Sequence, residues 1–169
     1  MPENQRSLHD FPSMSTSELF ALYRSTLSEL RRRGIVRTEN APAGDYAEYL
    51  VVNALGGELA PNSEKSWDVL VPGDKRVQVK ARVVSDPPTS GQRQLSPFRS
   101  FDFDSAVIVL LTDSDYAVWR AVEIPRTVVE ERSSFRSHVN GHVLHATPDV
   151  LDHPDARDLT QRLREVQAS

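Results

Sequence analysis

The sequence predicts a single domain of the α/β (α+β) class, and three observations lead to this expectation. Residues 67–84 read as two short strands joined by a Pro-Gly-Asp turn. Residues 106–111 form an uninterrupted apolar run, which is typical of a central strand buried on both faces. Helical spacing of apolar residues recurs at both ends of the chain and near residue 50, in residues 15–34, 44–55 and 155–166.

The first two helices have clear boundaries. Ser15 followed by Glu18 is a helix start of the capping type, and Gly34 ends that helix. The second helix covers residues 44–55 and stops at Gly56, where glycine accommodates a left-handed cap.

The remaining elements follow from alternation and turn signals. A first strand is expected within residues 57–60, and a strand over residues 116–124 is closed by Pro125. Residues 85–100 form a loop rich in Pro, Ser, Gly and Arg, a candidate for closing over a bound substrate. The C-terminal third is expected to contain a short helix at 127–132, a strand at 142–146 and a helix at 155–166.

Length and composition set limits. A chain of 169 residues suits one domain, here residues 15–169, preceded by a flexible N-terminus of residues 1–14 that lacks an apolar period. The absence of cysteine excludes disulfides and thiolate metal sites. Because the sequence contains no signal peptide or long apolar segment, we expect a soluble cytoplasmic protein with no membrane partner.

The hairpin places polar side chains on one face of an apolar ribbon. Gln78, Lys80 and Arg82 share one face of the second strand because side chains alternate with period two. A three-residue loop centred on Gly73 puts Asp68 directly across from Gln78, whereas a four-residue loop puts it across from Val79.

The charged side chains of such a cluster must be paired with one another, solvated, or bound to a ligand, since an unpaired buried charge is costly. In a functional interpretation, Asp68 binds a hard divalent cation such as magnesium, which prefers oxygen ligands. Lys80 then holds or polarises a water that attacks a phosphorus atom. The alternative is a hairpin whose polar face is simply solvated.

A second carboxylate occupies the helix at 44–55. At 100° per residue Glu48 points the same way as Val51, Val52 and Leu55, so it sits inside an apolar stripe. An acid in such a place rarely lacks a partner. Glu48 either forms a salt bridge with an arginine of the first helix or points at the same ion as Asp68.

Glu48 on a helix, then Asp68, then Gln78-Val79-Lys80, resembles the PD-(D/E)XK nuclease superfamily and its Mrr-like members with Gln-x-Lys. The resemblance covers roughly residues 44–125. It implies a restriction-endonuclease-like sandwich, with a central mixed β-sheet flanked by helices, and metal-dependent hydrolysis of nucleic-acid phosphodiesters.

Residue roles follow from this resemblance. Glu48 and Asp68 would hold Mg²⁺ (or Mn²⁺), the Gln78 side chain or the Val79 carbonyl would be further ligands, and Lys80 would activate the water. The sequence departs from the motif in two places. A Trp precedes Asp68 where the motif has Pro, and Gln78 supplies a neutral oxygen instead of a carboxylate.

Basic residues cluster beside this motif although the net charge is -4. Residues 75–100 contain six Lys or Arg side chains against a single acid, whereas residues 101–169 are acidic overall. A local basic segment is what a phosphate-binding face requires. A solvated loop is the alternative. The side chains expected to contact phosphates are Lys75, Arg76, Arg82, Arg93 and Arg99.

We therefore expect a metal-dependent endonuclease acting on nucleic acid, most simply DNA, in restriction, phage defence or repair. A second copy of the chain or a partner subunit would supply sequence specificity. Two other hypotheses stay open. One is a catalytically inactive protein of the same fold that binds DNA or regulates, and the other is an interaction protein that docks through its acidic C-terminal third.

Overall fold

The computed structural model describes residues 9–37 and 41–169. Residues 1–8 of the predicted flexible N-terminus lie outside the described residues, and within residues 9–14 the segment Phe11–Ser13 forms a 3-10 turn. The chain divides into two compact units, Met1–Pro42 and Ala43–Ser169.

The first unit contains helix α1, Thr16–Arg32, where the sequence predicts it. The Ser15 hydroxyl accepts from the backbone N–H of Glu18, and the Glu18 carboxylate accepts from the backbone N–H of Ser15 (2.7 Å). These reciprocal bonds satisfy N–H groups that the helix itself leaves unpaired. Gly34 follows the helix with φ +73°, a conformation that glycine adopts at little cost.

The second unit is a sandwich built on a six-stranded sheet. The strands run in the spatial order β1-β2-β3-β4-β5-β8, and every neighbouring pair is antiparallel except β3 and β4, which are parallel. The strands of this sheet are β1 (Glu58–Leu59), β2 (Val69–Val71), β3 (Lys75–Val84), β4 (Ser105–Thr112), β5 (Val118–Pro125) and β8 (Arg157–Asp158).

Helices cover both faces of this sheet, and a two-stranded hairpin accompanies it. These elements are α2 (Ala43–Leu55), α3 (Arg126–Arg132), β6 (Ser134–Arg136), β7 (Gly141–Val143), α4 (Pro148–Leu151) and α5 (Thr160–Ala168). The arrangement confirms the predicted α/β class and the central mixed sheet flanked by helices. No helix among the described residues is long and apolar enough to cross a membrane.

Alternation along β3 divides the core into two layers. Val77 and Val79 pack on the face covered by α2 and α5. The other face is covered by α3, α4 and apolar residues of the 85–100 segment. All eight residues of β4 between these layers are buried, which confirms the predicted central strand.

The C-terminal third differs from the expectation in several places. The strand expected over residues 142–146 is β7, which covers only Gly141–Val143. The helix expected over residues 155–166 begins only at Thr160, because Arg157 and Asp158 pair with the edge of β5 and form β8. Strand β6 and helix α4 were not predicted, and both are four residues or shorter. A segment of that length carries too few residues to display a period.

The 85–100 segment packs against the rest of the second unit through buried side chains. Leu95 and Phe98 are buried in the core layer that includes α3 and α4. The Leu95 N–H donates to the Leu144 carbonyl (3.0 Å), and the Phe98 N–H donates to the His142 carbonyl (2.8 Å). The segment therefore forms a wall of the sandwich beside β3.

Candidate active site

The hairpin turn has the three-residue form that brings Asp68 to Gln78. Val71 pairs with Lys75 and Val69 pairs with Val77, so the loop consists of the three residues between Val71 and Lys75. Gly73 at its centre has φ +89°, which favours glycine. Asp68 stands just before β2 at a bend, where its N–H donates to the Val77 carbonyl (2.9 Å), and its side chain reaches Gln78.

The Asp68 carboxylate joins two neighbours on β3. Its Oδ2 accepts from the Gln78 side-chain Nε2 and from the backbone N–H of Val79, both at 2.7 Å. Because β2 begins only at Val69, the Val79 N–H lies beyond the end of the β2 ladder, and the carboxylate takes the place of a strand partner. The Asp68 carbonyl also accepts from the Ala60 N–H (2.8 Å), so its backbone is fixed on both sides.

Lys80 lies on the same face as Gln78, one step further along β3. Its Nζ donates to the Pro97 carbonyl (3.0 Å) and stands 4.8 Å from the centre of the Phe98 ring. Burial lowers the pKa of the Lys80 ammonium below 10.5, the Arg99 charge lowers it further, and the Asp68 carboxylate partly offsets both effects. Lys80 is thus a partly desolvated ammonium held near a carboxylate without pairing to it.

Sequence patterns did not reveal that Pro97 and Phe98 hold this lysine. The signal available in the sequence is Phe98 itself, an aromatic residue in a segment dominated by polar residues. The structure shows that its side chain is buried. The contact joins residues seventeen positions apart, and only the tertiary fold brings them together.

Glu48 is half-buried in the middle of α2. That helix packs on the Val77 and Val79 face of β3, opposite to the face that carries Gln78 and Lys80. An ion shared by Glu48 and Asp68 would therefore have to lie at the edge of β3 beyond the end of β2. The Val79 carbonyl points toward this edge, because the C=O and N–H of one strand residue point the same way. Binding of one ion by both carboxylates stays a prediction.

The groups at this edge fit a hard cation by their chemistry. The donors are carboxylate, amide and main-chain oxygens, which Mg²⁺ and Mn²⁺ prefer. Gln78 turns its NH₂ group toward Asp68, so its oxygen becomes a ligand only after the amide rotates. Among the described residues no three His, Cys, Asp or Glu side chains come together, so such an ion would draw part of its coordination from amide and main-chain oxygens and from water.

Two of the predicted phosphate contacts belong to ion pairs within the sandwich. Lys75 pairs with the buried Glu123. Arg76 contacts Asp104, which accepts from its backbone N–H (2.8 Å) and lies 3.4 Å from its Nε. Both cations are near the hairpin turn, and their charge is already partly balanced.

The other three arginines differ in their surroundings. Arg93 donates to the Ala146 carbonyl (2.7 Å), and Arg99 donates to the Asn140 carbonyl (2.8 Å). Arg82 is exposed and forms no ion pair with a described residue. The structure brings Arg99 close enough to Lys80 to affect its pKa.

Neither a protein-family model nor a curated protein sequence matches this chain. A function for this chain is therefore inferred from the geometry of Asp68, Gln78, Val79 and Lys80.

Proposed function

We propose that this protein is a metal-dependent nuclease of the PD-(D/E)XK type that hydrolyses phosphodiester bonds in nucleic acid, with DNA as the expected substrate. The observation that carries the proposal is the placement of the Asp68 carboxylate beside β3, where it accepts from Gln78 and acts on the charge of Lys80, which shares a strand face with Gln78. The order of helix, hairpin and Gln-x-Lys supports the same family.

Each residue has a distinct role in this proposal. Asp68, with Glu48 and the Val79 carbonyl, would hold a magnesium or manganese ion, which when bound polarises the phosphodiester and balances its developing negative charge. Lys80 orients the attacking water through its Nζ. Because the Pro97 carbonyl and the Phe98 ring fix that Nζ, little ordering is needed when substrate arrives. The lowered pKa of Lys80 also brings its proton exchange closer to neutral pH.

The test is cleavage of plasmid and single-stranded DNA with Mg²⁺ or Mn²⁺. Wild type is expected to cut, and Asp68→Asn and Lys80→Met are each expected to lose activity by about 100-fold or more. Asp113→Asn and Lys65→Ala are matched controls, because both residues are exposed and neither belongs to the site. Cutting that survives in both site variants contradicts the proposal.

One observation favours a second candidate, a protein of the same fold that binds nucleic acid without cutting it. Gln78 is neutral, and its NH₂ group already satisfies part of the Asp68 carboxylate, so the pair attracts a cation less than two carboxylates would. Calorimetric titration with Mn²⁺ separates the candidates. Binding that Asp68→Asn abolishes supports the nuclease, whereas DNA binding with neither Mn²⁺ binding nor cutting supports the second candidate.

Specificity would come from outside this site. We propose that a second copy of the chain or a partner subunit provides it. Size-exclusion chromatography with light scattering, with and without DNA, measures whether two copies assemble.

A further inference from the structure

Two segments of this acidic chain contain no Asp or Glu. They are residues 87–101 and residues 133–148. Between them they carry three arginines and three histidines, although the chain as a whole has a net charge of -4. A negatively charged ligand would meet no carboxylate from either segment.

The fold joins these segments into one surface. Gln94 bridges to His145 and Phe98 bridges to His142, both in antiparallel fashion. A Cβ added to Gly141 would stand 2.8 Å from the Pro97 side chain. The β6–β7 hairpin therefore packs so closely against residues 87–101 that only glycine fits at position 141. Since Pro97 and Phe98 also hold Lys80, this surface begins at the candidate active site.

An aromatic ledge crosses the joined surface. The centre of the His142 ring is 4.6 Å from that of Phe101 and 5.4 Å from that of Phe135. Phe135 is 57% exposed, the largest exposed fraction among the large apolar side chains of the described residues. We call Phe101, Phe135 and His142 the aromatic ledge.

Two exposed arginines belong to the segments that carry the ledge. Arg136 follows Phe135 on β6 and is exposed. Arg99 is exposed, and its Nη1 donates to the carbonyls of Val139 and Asn140 in the turn between β6 and β7. The Nε and Nη2 donors of Arg99 bond to no described residue, so they are available to a phosphate.

We propose that the aromatic ledge, with Arg99 and Arg136, binds a single-stranded nucleic acid and leads it to Lys80; this inference rests on the proposed function. An unpaired base stacks on Phe135, and the neighbouring phosphates contact the two arginines. Aromatic rings beside a basic track are how proteins bind single strands without reading sequence. A duplex keeps its bases stacked on one another and offers no free base to Phe135. A protein partner would use the ring but not the excess of cations.

The experiment measures binding of a fluorescein-labelled oligothymidylate, and of its duplex with oligoadenylate, by fluorescence anisotropy in EDTA. EDTA removes divalent metal, so binding is measured apart from cleavage. Phe135→Ala is expected to weaken single-strand binding about 10-fold, and Phe135→Trp is expected to restore it. Duplex binding should be weaker in wild type and unchanged by either variant.

Arg136→Ala tests the phosphate contact. It is expected to weaken single-strand binding and to reduce the slope of log affinity against log salt by about 0.7. Arg126→Ala is the matched control, because Arg126 is an exposed arginine on α3 that pairs with Glu130.

Three results would overturn the inference: single-strand binding that Phe135→Ala leaves intact, equal weakening of single strand and duplex, or no rescue by Phe135→Trp. Failure of the nuclease proposal would give a different pattern of binding and cleavage. In that case Phe135→Ala still weakens binding in EDTA, while cleavage is absent or insensitive to Asp68→Asn and Lys80→Met.

Discussion

At the scale of single residues, Lys80 holds a charge where burial costs stability, and the proposed function requires that charge there. Its ammonium is partly desolvated, and the groups that hold it are a main-chain carbonyl and an aromatic ring rather than a paired carboxylate. Burying a charge without an ion pair disfavours folding. A lysine whose only role was structural would contribute more to folding stability at an exposed position or in a direct salt bridge.

Replacing Lys80 by Met should therefore stabilise the protein. Met keeps the apolar contact with Phe98 and removes the desolvated charge, so we expect the free energy of unfolding at neutral pH to rise by about 0.5 to 2 kcal/mol. Urea denaturation of wild type and variant measures this difference, with Lys65→Met as the exposed control.

The pH dependence of that difference has a definite sign. Because the pKa of Lys80 is lowered in the folded protein, the folded chain releases this proton before the unfolded chain does. Wild type should gain stability relative to Lys80→Met as pH rises through the folded pKa toward 10.5. A variant that is less stable at neutral pH would show that the contacts with Pro97 and Phe98 outweigh desolvation.

Gln78 illustrates a second compromise at the residue scale. A carboxylate in its place would face Asp68 as a like charge, and the two would repel unless a cation or proton lay between them. The amide instead donates to Asp68 Oδ2 at 2.7 Å. Gln78 thus stabilises the ion-free hairpin, while it contributes less charge for holding a metal ion.

At the scale of elements, the position of β2 depends on a close contact with Gly57. A Cβ built on Gly57 would meet the Leu70 carbonyl oxygen at 2.7 Å and the Val69 side chain at 3.0 Å. Because backbone atoms cannot move aside as a flexible side chain does, a substitution here must displace the strand.

Gly57→Ala should therefore destabilise the protein by about 1 to 3 kcal/mol, the usual cost of overpacking. Chemical denaturation measures it. Gly44→Ala is the matched control, since its Cβ would meet nothing within 4 Å and alanine favours the α2 helix. Equal stability of Gly57→Ala and wild type would mean that β2 shifts without cost.

How far the sequence predicts this structure depends on whether an element is specified locally. The Ser15 cap, the Gly73 turn and the apolar run of β4 depend on near neighbours, and all three were predicted correctly. The same three-residue turn brings the Asp68 side chain to Gln78, although a bend at Asp68 takes its backbone out of the paired ladder. Strand β8 depends on the exposed edge of β5, and the contact of Lys80 with Pro97 depends on the path of residues 85–100, so neither leaves a periodic signal.

At the scale of the whole sandwich, one buried carboxylate connects four strands of the sheet. Glu123 on β5 accepts from the Ser105 hydroxyl of β4 (2.7 Å) and forms ion pairs with Arg157 of β8 (2.5 Å) and with Lys75 of β3. Two of these three partners were assigned no structural role from the sequence, and Lys75 was expected to contact phosphate. The structure instead gives Lys75 a partner inside the sheet.

Replacing Glu123 by Gln should cost about 2 kcal/mol of unfolding free energy at neutral pH. This is less than for a fully buried pair, because Lys75 and Arg157 are partly exposed and solvent screens their charges. Burial raises the Glu123 pKa, but the bonds from Lys75 and Ser105 and the charge of Arg157 outweigh burial and leave the pKa below 4.5. The stabilisation is therefore present above 4.5 and is lost as pH falls through the folded pKa.

Urea denaturation of wild type and Glu123→Gln at neutral and acid pH tests this argument. The difference between the two proteins should narrow as the pH falls below 4.5, since the wild-type carboxyl then takes up the proton that makes it resemble the amide. Glu130→Gln is the control, because among the described residues Glu130 pairs only with Arg126 at the surface, and it should change stability by less than about 0.5 kcal/mol. A difference that stays constant with pH would mean that shape and hydrogen bonding at Glu123, rather than its charge, join the four strands.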